Sequence, residues 1–134
     1  MRITMVVDAN PILSALLGGY ARKIFFDRRF EFVTTEFTLA EVKKYLPLVA
    51  EKSGVKLEEI LLALSLLPIK VISRPNYVDS LSQARQILKD IDLSDVDILA
   101  LALEINSYLW TNDKHFEKIM TIPLIRIIKT KDFV

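Results

Sequence analysis

Four carboxylates in this chain fall where acids can do chemistry: Asp8, Glu41, Asp95 and Asp113. Asp8 closes the apolar run Met5-Val6-Val7, and a carboxylate at the end of such a run carries a desolvation cost that needs a compensating partner. Glu41 and Asp95 are placed near the starts of helical patterns, and Asp113 follows an apolar strand pattern. Hard divalent cations such as Mg2+ or Mn2+ take oxygen ligand sets of this kind, with water and substrate phosphates completing the shell. The chemistry that such a set supports is metal-assisted hydrolysis of a phosphodiester, in which no protein nucleophile is needed.

The acids need elements that bring them together. Arg2 to Val7 reads as a buried strand. Asn10-Pro11 reads as a helix start, with the helix running from Ile12 to Leu17 and stopped by Gly18-Gly19. Ala21 to Asp27 is a second short helix, and Glu31 to Thr34 a strand. Thr38 is expected to open a long helix with Leu39, Val42, Leu46 and Val49 on one face, kinked or broken at Pro47. A helix over 57–67, a strand over 69–72, a turn at Arg74-Pro75-Asn76 and a helix over 77–91 follow. Ser94 to Ile105 reads as an apolar helix, Tyr108 to Thr111 as a strand, Asp113 to Met120 as a short helix and Leu124 to Ile128 as a final strand. Strands alternate with helices and are apolar rather than alternating, which predicts a three-layer α/β/α sandwich around a central parallel sheet, as one domain over residues 1–134. In such a sheet the strand C-termini and the following helix N-termini share one edge, so four acids from distant parts of the chain can converge there.

Each acid also has a plainer use. Thr38 with Glu41, and Ser94 with Asp97, match the spacing of a capping box, Asp95 suits a helix dipole, Asp113 can cap a helix, and Asp8 can form a turn with Asn10. Capping accounts for any one of them; it does not require all four at one edge. The lone histidine, His115, reads as a solvated side chain rather than a substrate contact, and Trp110 and Phe116 read as packing residues rather than base-stacking ones. Arg22, Lys23, Arg28 and Arg29 form a basic cluster that either contacts phosphates or is a solvated face, and Lys43 and Lys44 read as the polar face of their helix.

Four local motifs carry a family resemblance. Asp8-Ala9-Asn10 after Met5-Val6-Val7, Leu39-Ala40-Glu41-Val42, Asp95 followed by the small-residue helix from Val96 to Ala102, and Trp110-Thr111-Asn112-Asp113-Lys114-His115-Phe116 resemble, in order, the four acidic motifs of PIN domains, including VapC-type toxin nucleases. The resemblance spans the chain. It implies a metal-dependent endoribonuclease with Asp8, Glu41, Asp95 and Asp113 as the catalytic and metal-binding set, Asp8 bridging, Asp97 at the margin, and Asn10 and Thr111 supporting. It also implies an RNA substrate, a homodimer and, for a toxin, an antitoxin partner.

Composition narrows the rivals. Without cysteine there is no disulfide framework, zinc–thiolate site or thiol catalysis. No signal pattern precedes Asp8, and no uncharged apolar run approaches the ~20 residues of a membrane span, so a cytoplasmic protein is expected. With four of the 17 acidic residues set aside on cations, the 18 basic residues exceed the remaining acids by five, a balance suited to a phosphate-bearing substrate. A haloacid dehalogenase-type phosphatase also begins with an Asp after its first strand, but needs a second Asp two residues later, where this chain has Asn10. The remaining alternative is a non-catalytic module of the same fold that binds RNA or protein.

Overall fold

The computed structural model describes residues 1–89 and 95–133. Five parallel strands, β1 (Ile3–Val7), β2 (Phe30–Thr35), β3 (Ile69–Ile72), β4 (Tyr108–Trp110) and β5 (Ile127–Ile128), form one sheet in the order β3-β2-β1-β4-β5. The chain runs outward from β1 through β2 to β3, then crosses back to lay β4 on the other side of β1. The register pairs Val6 with Val33 and Leu109, and Val7 with Trp110. The order reverses between β1 and β4, and a parallel sheet binds ligands at the crevice outside the strand C-termini at such a point.

Helices cover both faces. Alternate residues of β1 divide between them: Met5 and Val7 pack with Phe32 and Trp110 against α1 (Ala9–Leu16), α2 (Ala21–Phe25), α3 (Glu36–Ser53) and α4 (Leu57–Leu66), while Val6 packs with Val33 and Leu109 against α5 (Leu81–Leu88) and α6 (Val96–Glu104). The three-layer α/β/α arrangement follows from strands that are apolar on both sides. Trp110 is wholly buried, with Phe25, Phe32 and Phe133 around its ring at 4.9, 5.7 and 5.0 Å, so it is a core residue. No helix among the described residues is long and apolar enough to cross a membrane.

Local differences from the sequence reading have physical causes. Asp8, not Asn10, caps α1, accepting from the Ala9 amide at 2.8 Å. The third helix begins at Glu36 rather than Thr38, because the Thr35 hydroxyl accepts from the Thr38 amide at 2.9 Å. The Thr38–Glu41 capping box therefore does not form, and Glu41 lies in the second turn. The helix of residues 77–91 is instead a 3-10 turn, Val78–Ser80, followed by α5; its expected end, and the Ser94 cap, lie outside the described residues. Residues 114–119 are 3-10 rather than α, and the last strand shortens to Ile127–Ile128.

Pro47 does not end α3, which continues to a left-handed Gly54 cap. Thr38, Val42, Leu46 and Val49 anchor both halves of the helix to the core, and that burial outweighs the missing amide and the ring clash of an internal proline. Pro47 itself is exposed. Pro47→Ala is therefore expected to stabilise the fold by roughly 1–2 kcal/mol, after offsetting the freer unfolded chain. Chemical denaturation of the two proteins checks this, and a lower midpoint in the variant would contradict it.

Candidate metal centre

The carboxyl edge between β1 and β4 is tied by one hydroxyl. Thr111, buried just past β4, donates from Oγ1 to Asp8 Oδ2 at 2.8 Å and accepts on the same oxygen from the Asp113 amide at 3.0 Å. The Asp8 amide completes the strand pairing by donating to the Trp110 carbonyl at 3.0 Å. Asp8 is only 7% exposed. Its carboxyl is pushed above the usual range by burial; the bonds from Thr111 and Ala9 oppose that rise, and the nearby negative charge of Asp113 adds to it. A buried carboxylate held against a second one is a site with excess negative charge, and a cation relieves it.

Asp113 caps the 3-10 segment Lys114–Ile119, accepting from the His115 amide at 2.9 Å. Capping and a place in the cluster thus coexist in one side chain. Asp95, 8% exposed, stands at the N-cap of α6 but makes no capping hydrogen bond there. Its Oδ2 lies 3.7 Å from His115 Nδ1, and Asp113 Oδ1 lies 3.3 Å from the same nitrogen. One donor atom each from Asp95, Asp113 and His115 falls within 4.8 Å of the others. Two carboxylates and an imidazole are a donor set that a divalent first-row cation accepts, so the residues present fit the ion expected from the sequence.

The other expected residues divide. Asn10 accepts from Asn112 Nδ2 at 3.1 Å, and Asn112 in turn donates to Thr130 Oγ1 at 2.8 Å and accepts from the Thr130 amide at 2.9 Å, so Asn10 and Thr111 support the edge from two sides. Glu41, exposed on α3, and Asp8, buried at the end of β1, both lie outside the compact group of Asp95, Asp113 and His115. Asp97, expected at the margin of the metal cluster, instead gives both oxygens to protein partners. Arg74 donates to it at 3.0 and 2.9 Å and the Tyr77 hydroxyl at 2.6 Å. Burial works to raise the Asp97 carboxyl, yet the Arg74 and Tyr77 bonds and the Arg74 charge bring it below the usual range. Burial and the Asp97 carboxylate together hold the Tyr77 hydroxyl well above its ordinary value. Asp97 is thus a strut between α6 and the turn after β3.

The basic cluster does not face this edge as a unit. Arg22 donates to the Ala15 and Leu16 carbonyls at 3.0 and 3.4 Å, closing the C-terminus of α1. Arg29 pairs with Asp27 at 2.6 Å, and its carbonyl accepts from the Ile3 amide, which places Arg28 and Arg29 at the amino edge of the sheet. Lys23 is exposed on α2. Sequence reasoning passed over Asn112 and assigned His115 to solvent; the Asp113–His115 spacing inside the fourth motif was the available signal for the histidine.

A PIN domain family profile matches residues 6–122. No curated protein matches the sequence at a significant level. Among solved structures, the chain is similar to VapBC2 from Rickettsia felis bound to a DNA fragment from their promoter, with a TM-score of 0.70 and 17% identity over 95% of this chain and 98% of that one. It is also similar to PAE2754 from Pyrobaculum aerophilum, with a TM-score of 0.68 and 19% identity over 98% of this chain and 86% of that one. A third similar structure is VapBC-1 from nontypeable Haemophilus influenzae, with a TM-score of 0.67 and 22% identity over 96% of this chain and 99% of that one.

Proposed function

The chain belongs to the PIN-domain family, and from that premise we propose that it is a metal-dependent endoribonuclease using Mg2+ or Mn2+. The observation that carries the reading is the Thr111 hydroxyl holding Asp8 and Asp113 together at the switch point, with Asp95 entering from α6. Asp8, Asp95 and Asp113 would hold the cation, and Glu41 would reach it from α3 directly or through water. Such an ion, when bound, supplies an activated water at neutral pH and neutralises charge on the scissile phosphate. The protein's own part is positional. Thr111 fixes the orientation of Asp8, the Asp8 and Asp113 caps fix their backbones, and the apolar wall beneath them keeps the electrostatics strong.

The proposed setting is a toxin–antitoxin pair in the cytoplasm, with the chain as a homodimer bound by an antitoxin. The names of the similar Rickettsia felis and Haemophilus influenzae structures, and of a toxin–antitoxin complex from Klebsiella pneumoniae, support that setting. The test is incubation of the purified protein with end-labelled RNAs in Mg2+, Mn2+ or chelator. Cleavage in either metal that stops in chelator is the expected result. RNA left intact under all three conditions would favour the non-catalytic module instead.

A further inference from the structure

We propose that His115 is a ligand of the bound cation through Nδ1, and that it biases the site towards Mn2+ over Mg2+. The proposal rests on the metal reading above and adds to it a residue outside the four acids expected to hold the ion. The imidazole is half exposed, yet its Nδ1 points between two carboxylates, 3.3 Å from Asp113 Oδ1 and 3.7 Å from Asp95 Oδ2. A charge-assisted hydrogen bond between such groups closes to about 2.7–2.9 Å. Two donors each about 2.1 Å from one ion, and about 90–110° apart, stand roughly 3.0–3.5 Å from each other. The Asp113–His115 spacing is that of co-ligands, and the Asp95 oxygen needs only a small side-chain rotation to join them.

The backbone supports this use of the ring. The His115 amide donates to Asp113 Oδ1 at 2.9 Å, so the carboxylate and the imidazole are locked into one short 3-10 turn. The turn is anchored by Phe116 and Ile119, both buried. Asp95 arrives from the start of α6, an independent element, so the donor set closes across the site rather than along one loop. With Nδ1 on the metal, the ring proton resides on Nε2. Mn2+ also favours oxygen ligands, but as a first-row transition ion it takes an imidazole nitrogen into a carboxylate site at less cost than Mg2+, which dehydrates reluctantly and keeps oxygen around it.

His115 is the only histidine, so a histidine label reports on this ring alone. The experiment is pulsed electron paramagnetic resonance of Mn2+ added to the untagged full chain. The expected spectrum shows modulation from a directly bound nitrogen, which changes isotopic pattern on [15N]histidine labelling and disappears in His115→Ala and His115→Gln. Calorimetric titration should show a loss of about tenfold or more in Mn2+ affinity in both variants, against less than about twofold for Mg2+. Bound Mn2+ whose spectrum is indifferent to the label would overturn the ligand assignment and leave the acidic site standing. Equal losses for the two metals would overturn the bias. A wild-type chain that binds Mg2+ but no Mn2+ would overturn this inference and leave the metal reading standing, and one that binds neither ion would remove both. The labelled wild-type spectrum decides the ligand question even where a variant folds poorly.

Discussion

Asp8→Asn is expected to lower RNA cleavage by roughly 10²–10⁴-fold, the several kcal/mol that a metal's charge stabilisation is worth, while the metal-free protein melts higher than wild type. The two effects have one cause. Asparagine is as good an N-cap as aspartate, so the Ala9 contact survives, and the Thr111 hydroxyl can rotate to accept from the new amide. What disappears is a buried negative charge beside Asp113. Because burial raises the Asp8 carboxyl, the folded state holds its proton more tightly than the unfolded state. The corresponding stability is complete below the ordinary value of 3.8 and is lost as pH rises through the raised value. Metal-free wild type should weaken across that window through this group, and the variant should not. Melting curves and RNA hydrolysis on the same preparations provide the check. Asp27→Asn is the control, since Asp27 pairs with Arg29 away from the site. Undiminished metal-dependent cleavage by Asp8→Asn would defeat the proposed role.

The second large effect is linkage to the cation. An ion that binds the folded chain at a hundred times its dissociation constant stabilises it by about 2.7 kcal/mol. For a chain of this length that is a rise in melting temperature on the order of 10 °C. The shift should be present with Mn2+, absent in chelator, and much reduced in Asp113→Asn and Asp95→Asn, whose carboxylates contribute to the same donor group. Coincident melting curves with saturating Mn2+ and with chelator would be incompatible with a cation site at this edge.

Much of the fold was legible because its signals are local. Apolar strand runs alternating with helical spacing imply a covered parallel sheet, and the first and fourth strands were read to within a residue or two. The convergence of Asp8 and Asp113 followed from that topology alone. The features that local sequence does not reveal depend on partners far away in sequence or on close local competition. Thr35 looks like a continuation of β2, and nothing local says that its hydroxyl stops the strand and caps α3. Asp97 resembles its neighbour Asp95 in sequence; Arg74, which distinguishes them, lies 23 residues away. Pro47 is a strong local breaker overruled by a core that the helix reaches on both sides of it. Arg22 and Arg29 read as one patch with Lys23 and Arg28, but their guanidinium groups serve a helix end and an aspartate.

The Thr111–Asp8 hydrogen bond joins residues 103 positions apart, and β4, which Thr111 directly follows, is flanked by β1 and by β5 near the end of the described chain. During synthesis, β1, β2 and β3 leave the ribosome with their helices well before β4 and β5 can dock. A nascent chain therefore exposes Asp8 long before it possesses Thr111, Asp113 or His115. The candidate site is complete only once the segment after β4 has been made, so a product truncated before it lacks Thr111, Asp113 and His115. The order of the strands thus postpones completion of the candidate site until most of the domain has been made.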